Sequence, residues 1–319
     1  MRHSRWALYL ALPGLLCLAA CKPASPPPVV SDARPAPAAK VIGAALLTQT
    51  HVFYQDMVSA MQEEAKKQGF TLNVQYAEFD SSKQNNQIET FLLQRVDALI
   101  VSPNDSAGIA PVIADARARK IPVFTADIAA HGAEVVSHIA SDNFHGGEIL
   151  AEYLAKRLNE KGRVAIIDHP SAASVQERVA GFEKGLAKYP GITLVQKVPG
   201  EGQRDKAMRA AQDLLQANPD LNAIFGINDD SALGALAAVE AAGLQDKVVI
   251  VGFDGTPEAR DAILNGKALK ADTVQFPKEI GRTTIQTIAA YFRGEPVPNK
   301  VPVRVEIIDQ ASLKAEQKR

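Results

Sequence analysis

Asp127 and Asp254 each close a short apolar run, KIPVFTAD (120–127) and KVVIVGFD (247–254). Each of these follows another run that ends in an acidic-polar turn, DALIVSPNDSA (97–107) and NAIFGINDDSA (222–232). Short apolar runs bounded by polar turns read as buried strands, and the turns read as helix openings. The arrangement is an internal repeat. Parallel strands deliver their C-terminal ends to one edge of a sheet, where open α/β sheets bind ligands, so each copy sets Asp, Asn and Ser side chains at a binding rim. Two such rims facing one another make a cleft. The same residue types also have structural uses, because a carboxylate or amide at a strand end can cap the next helix. Both readings stand for Asp127 and Asp254, and Asp229 or Asp230 is expected to cap the helix that follows Asn228.

Chemistry beyond recognition has no motif to carry it. The chain lacks a nucleophile elbow and a G-x-x-x-x-G-K phosphate loop, and residues 43–50 hold a single glycine where a dinucleotide fold needs a triplet. His131, His145 and His169 show no metal-ligand spacing, and His138 lies inside an apolar strand as a core residue. No metal or cofactor is expected, and an enzyme is the weaker rival function. With 35 basic against 36 acidic residues there is no cationic excess for nucleic acid, and no helix-turn-helix candidate precedes the first strand.

Positioning these residues needs alternating strands and helices. Strands are expected near Val41–Leu47, Thr71–Tyr76, Ala98–Val101, Pro122–Thr125 and Val135–Ile139, then near Arg163–Ile167, Thr193–Val198, Ala223–Ile227, Val248–Phe253, Ala271–Val274 and Val301–Ile307. Phe53–Gln68 places Met57, Met61 and Ala65 on one helical face and stops at Gly69. A second helix runs from Asn143 to Asn159 and stops at Gly162. The fold class is α/β, with two doubly wound parallel sheets and the change between them at about Asp142. Helix Phe276–Arg293 and strand Val301–Ile307 are left over after the second sheet, so the chain is expected to cross back through a multi-strand hinge. The expected domains are 40–141 plus 276–303 and 142–275 plus 304–312.

The N-terminal end reads as an export signal, with Arg2, His3 and Arg5 before an apolar stretch, Trp6–Ala20, too short to span a bilayer. It ends Leu18-Ala19-Ala20-Cys21, which resembles the bacterial lipoprotein processing site and implies that Cys21 is lipidated; an ordinary A-x-A cleavage is the alternative. Residues 1–21 are thus signal and lipidation site, and 22–39, rich in Pro and Ala, a stiff tether. Lys22 in place of Asp points by family habit to the outer membrane. The mature chain would keep one cysteine and no disulfide.

Four motifs in order, EVVSHIASDN (134–143), QERVAGF (176–182), NDDSALGAL (228–236) and VGFDGTPEA (251–259), resemble the periplasmic sugar-binding proteins of ABC importers, nearest the ribose-binding branch. The resemblance implies two flavodoxin-like domains on a multi-strand hinge that close over one monosaccharide or cyclic polyol, and delivery to an ABC permease in the inner membrane by a monomer. Sugar hydroxyls both donate and accept, so a dry site needs carboxylates, amides and aromatic faces. On the family pattern Asp127 and Asp254 accept hydroxyls, Asn228 and Gln275 act as bidentate amides, and Arg178 donates with charge assistance. Ser102 and Ser141 make smaller contacts, and Phe53, Tyr54 and Phe253 supply stacking faces. Plainer roles remain open. Arg178 could pair with Glu177 or Glu183, Phe53 and Tyr54 could be core residues, and Ser102 could merely end a strand before Pro103.

Three departures from the ribose branch bear on the ligand. Ile128 stands where an arginine is expected beside Asp127, His51 where an asparagine is expected, and an aromatic ring is absent around Gly202. His51 is either a ligand contact or a helix cap. Loss of a guanidinium and a ring changes shape and polarity, so ribose is expected to bind less well than another monosaccharide or polyol. A sensor that docks on a chemoreceptor or kinase is the alternative to transport, while a transcription regulator of the same fold is excluded by the export signal and the missing DNA-binding headpiece.

Overall fold

A computed structural model describes residues 39–318. The apolar leader, Cys21 and the proline-rich tether lie outside the described residues. From Val41 the chain runs β1 (Val41–Leu46), α1 (Val52–Gln68), β2 (Thr71–Tyr76), α2 (Ser81–Leu93), β3 (Ala98–Val101), α3 (Ala110–Ala118), β4 (Val123–Ala126) and β5 (Ser137–Ser141). It continues through α4 (Asn143–Arg157), β6 (Lys161–Asp168), α5 (Ala173–Leu186), β7 (Gly191–Pro199), α6 (Arg204–Ala217), β8 (Ala223–Gly226), α7 (Asp229–Ala241), β9 (Val249–Asp254), α8 (Pro257–Leu264) and β10 (Leu269–Val274). The last elements are α9 (Pro277–Phe292), β11 (Lys300–Val303), β12 (Glu306–Asp309) and α10 (Gln310–Glu316).

Two six-stranded sheets result. The first has the order β11-β5-β4-β3-β1-β2 with every pairing parallel. The second, β12-β10-β9-β8-β6-β7, is parallel except where β12 runs against β10. These are the two doubly wound flavodoxin-like sheets expected. In each, the first strand lies between its second and third neighbours, and that reversal opens a crevice at the carboxyl ends of the strands. The chain passes between the sheets after β5, after β10 and after β11, so several strands form the hinge.

Three local expectations are corrected. The run 301–307 is two strands rather than one, because β11 extends the first sheet beside β5 while β12 pairs with β10 in the second, and Arg304 and Val305 belong to neither ladder. The helix from Asn143 ends at Arg157; Asn159 and Glu160 take left-handed φ of 52° and 61°, and Lys161 and Gly162 already belong to β6. β5 begins at Ser137 rather than Val135. Its buried polar residues find partners there, Ser137 Oγ donating to Pro298 O at 2.6 Å and His138 Nδ1 lying 2.9 Å from Thr125 Oγ1. Burial, helped by Lys300, pulls the His138 imidazole down to about 4, as suits a neutral core residue.

Local rules explain the helices that carry the site. In α1, Met57, Met61 and Ala65 are buried on one face, and Gly69, at φ 72°, donates to Ala65 O and ends the helix. Helices α4 and α5 approach so closely that a Cβ at Gly181 would lie 1.9 Å from Phe144 O, and one at Gly147 2.0 Å from Arg178 O. Only glycine permits that crossing, and the crossing seats Arg178 of α5 against Asn143 of α4.

Candidate functional site

Strand ends from both sheets converge on one cleft, whose free space is about 510 Å³ with its open part included. His51, Phe53, Tyr54, Asp127 and Ile128 line it from the first lobe, and Arg178, Asn228, Asp254 and Gln275 from the second. The lobes also touch around the cleft: Ser106 N donates to Ser171 O at 3.0 Å, Ala173 N to Ser106 Oγ at 2.9 Å, and Lys300 pairs with Glu177 at 2.9 Å.

Asp127 follows β4 in a left-handed conformation, φ 67°, which turns its side chain off the strand and into the cleft. Tyr54 Oη donates to Asp127 Oδ2 at 2.7 Å and lies 3.2 Å from Ser102 Oγ. Burial, with the field of Asp254, pushes the Asp127 carboxyl up to about 6, against the Tyr54 hydrogen bond and the charges of Arg178 and His51. The Tyr54 ring meets Phe53 edge-on at 5.4 Å, so it is held between a ring and a carboxylate.

His51 links the lobes. Its Nδ1 accepts from Phe53 N at 3.1 Å and caps α1, while Nε2 lies 3.3 Å from Asp254 Oδ2 and 3.8 Å from Asp230 Oδ2. Burial pulls the imidazole down, but the hydrogen bond to Asp254 and the fields of Asp254, Asp230 and Asp229 outweigh it and carry the pKa up to about 9. A second proton would fall on Nδ1 and face the Phe53 amide, so charging the ring and capping the helix oppose each other.

On the second lobe Asp254 Oδ1 accepts from Gln275 Nε2 at 2.6 Å, and Oδ2 from Asp229 N at 3.3 Å. Gln275 Oε1 is buried without a hydrogen-bond partner, an acceptor awaiting a donor. Arg178 is buried; Nη2 donates to Asn143 Oδ1 at 2.8 Å, Nη1 donates to Ile227 O, and the guanidinium lies 3.5 Å above the centre of the Phe253 ring. Its surface pairing with Glu177 or Glu183 is corrected, since those carboxylates bind Lys300 and Lys197. Asn228, not Asp229 or Asp230, caps α7: its Oδ1 accepts from Ser231 N at 2.9 Å and its Nδ2 donates to Gly202 O at 3.1 Å. One lone pair and one amide hydrogen remain.

Ser102, Ser141 and Phe253 do not line the cleft. Ser102 lies beneath the Tyr54 hydroxyl, and Ser141 is fully buried at the end of β5. Phe253 faces α4 and α5, because alternation along β9 turns it away from the rim that Asp254 reaches, and it supports Arg178 rather than offering a free face. Sequence reasoning missed Leu47, Thr48, Phe79, His169, Ala172, Ser174, Val175, Gly202 and Ile227. His169 is legible by position, one residue beyond β6, although its spacing from the other histidines speaks only to metal binding. Phe79 enters from the β2–α2 turn at φ 61°, for which no periodicity gives warning. Beneath Asp254, Asp229 and Asp272 are buried facing carboxyls. Burial holds Asp229 up at about 6 and Asp272 well above the usual range, so Asp272 keeps its proton and donates it to Asp229. Their outer oxygens accept from Thr256 N and Gly255 N and fix the turn after Asp254. Among the described residues no group of three or more His, Cys, Asp or Glu could hold a metal ion, and no helix is long and apolar enough to cross a membrane.

Comparison with known proteins gives the family and the fold. The family model described as a periplasmic binding protein domain covers residues 42–296. The chain is 35% identical over 262 residues to the ribose import binding protein of Escherichia coli, covering 82% of this chain and 88% of the relative. A crystal structure of an ABC transporter periplasmic solute-binding protein from Actinobacillus succinogenes with bound D-allose superposes with a TM-score of 0.79 at 29% identity, over 86% of this chain and 99% of that one. The Caulobacter myo-inositol binding protein with bound myo-inositol gives 0.80 at 30% identity, over 86% and 95%.

Proposed function

The chain belongs to the periplasmic binding protein domain family, and from that premise we propose that it is the substrate-binding component of an ABC importer for a monosaccharide or cyclic polyol. The observation that carries this reading is the convergence of Asp127 from one lobe with Asp254, Gln275 and Arg178 from the other, around an acceptor, Gln275 Oε1, that has no partner within the protein. A hydroxyl that donates to Gln275 Oε1 and accepts from the free hydrogens of Arg178 satisfies groups otherwise buried unpaired, each about 1–3 kcal/mol. Because these groups come from both lobes, binding draws the lobes together, and the closed outer surface is what an inner-membrane permease reads. Asp127, Asp254, Arg178, Gln275 and Asn228 are the hydrogen-bonding ligands in this reading, and Phe53, Ile128 and His51 shape the first-lobe wall. Cys21 is the lipid attachment point and residues 22–39 the tether that keeps the lobes at the membrane on the periplasmic side. No step of covalent chemistry is required of any residue.

Thermal denaturation with a panel of pentoses, hexoses, inositols and linear polyols tests the reading. A ligand of the folded state raises Tm by mass action, about 2.7 kcal/mol of stabilisation at a hundredfold excess over Kd. If no member of the panel raises Tm at millimolar concentration, the sugar-binding reading is wrong.

A further inference from the structure

The two walls of the cleft differ in what they leave free for a ligand. Among the first-lobe side chains that line it, nearly every polar atom is already occupied. Thr48 Oγ1 donates to Glu78 Oε2 at 2.7 Å, His51 uses Nδ1 on the Phe53 amide and Nε2 on Asp254, and Tyr54 Oη donates to Asp127 Oδ2. What remains is the Asp127 carboxylate, Oδ1 unused and Oδ2 with one acceptor site left after Tyr54. The rest of that wall is hydrocarbon: Leu47, Phe53, Phe79 and Ile128. The second-lobe wall also carries apolar Ala172, Val175 and Ile227, but it leaves more polar atoms free. Gln275 Oε1 has no partner, each Nη of Arg178 keeps a second hydrogen after its one protein bond, and Asn228 keeps an amide hydrogen.

We propose that the ligand is a deoxy sugar or deoxy cyclitol, held with its hydroxylated edge on the second lobe and an unhydroxylated carbon or methyl group against Leu47, Phe53, Phe79 and Ile128. The inference rests on the sugar-binding reading and narrows it. A hydroxyl pressed on this wall is stripped of water and finds only one group with free acceptor sites, the Asp127 carboxylate, and no free donor. A methyl group there loses nothing and removes apolar surface from water. The occupancy of Thr48, His51 and Tyr54 means that the apolar character follows from the whole wall and not from Ile128 alone.

The test is isothermal titration of the wild-type protein with pairs differing by one hydroxyl: D-galactose and D-fucose, D-allose and 6-deoxy-D-allose, D-ribose and 5-deoxy-D-ribose, myo-inositol and its monodeoxy analogues. A pocket wall of this kind discriminates against an added hydroxyl by roughly tenfold to hundredfold, so at least one deoxy member is expected to bind tighter than its parent by that factor. Ile128→Arg, checked for a wild-type melting curve, is expected to reverse the preference within that pair; the wild-type comparison decides the matter even if the variant does not fold. Parents that bind as tightly as, or tighter than, their deoxy partners in every pair overturn the inference and leave sugar binding standing. Absence of binding by parents and deoxy members alike sinks both.

Discussion

At the residue scale the cleft is a set of buried ionisable groups whose charges are fixed by their neighbours. Asp127 is the most testable. Its folded pKa, about 6, lies above that of an unfolded aspartate, so its contribution to stability is whole below about pH 4 and is lost as the pH climbs through about 6. A rise of that size corresponds to about 2–3 kcal/mol. Asp127→Asn can still accept from Tyr54 Oη but cannot ionise, so the variant is expected to gain on the wild type by about that amount between about pH 4 and pH 7, measured by urea denaturation. Equal pH slopes for the two proteins would show that Asp127 is not held out of water as described. Asn228 illustrates the other residue-scale lesson, since one amide both caps α7 and faces the cleft.

At the scale of elements the site depends on how closely α4 and α5 cross. Arg178 is held where it lines the cleft by Asn143 Oδ1 of α4 on one side and the Phe253 ring of β9, itself packed on Gly146 of α4, on the other. Gly181→Ala would drive a methyl group into Phe144 O, so the helices must separate. The expected result is a loss of about 1–3 kcal/mol or more in stability together with weakened binding of whichever sugar the panel identifies. Full affinity in a variant that has lost this stability would mean that the α4–α5 crossing does not position Arg178.

At the scale of the whole molecule, the chain crosses between the sheets after β5, β10 and β11, while contacts such as Ser106 with Ser171 and His51 with Asp254 join the lobes at the rim. In the proposed function, closure is thereby coupled to the cleft's own side chains. The proposed attachment at Cys21 is tested at the same scale. Cys21→Ser is expected to release the protein from the membrane fraction or leave it unprocessed, read by cell fractionation and the mobility of the chain on a gel. A variant that is cut and partitions with membranes as the wild type does would rule out the anchor at Cys21.

Much of this was legible in order along the chain. The repeated runs that end at Asp127 and Asp254 mark strand termini because apolar stretches of that length must be buried and their polar ends must reach a rim, and the parallel α/β class follows from alternation alone. The break in 301–307 was not legible, since β-prone residues do not say which of two sheets they will join. Nor could types and spacing say which side chains are already satisfied. Tyr54 reads as a stacking ring until its hydroxyl is seen on Asp127, Phe253 as a ligand face until Arg178 is seen above it, and Asn228 as a free amide until Ser231 and Gly202 are seen to bind it. Local sequence determines which groups arrive at the cleft, because hydrophobic periodicity and turn residues act over a few positions. Which of their atoms remain free for a ligand is decided by partners distant in sequence, and only the folded chain brings those partners within hydrogen-bonding reach.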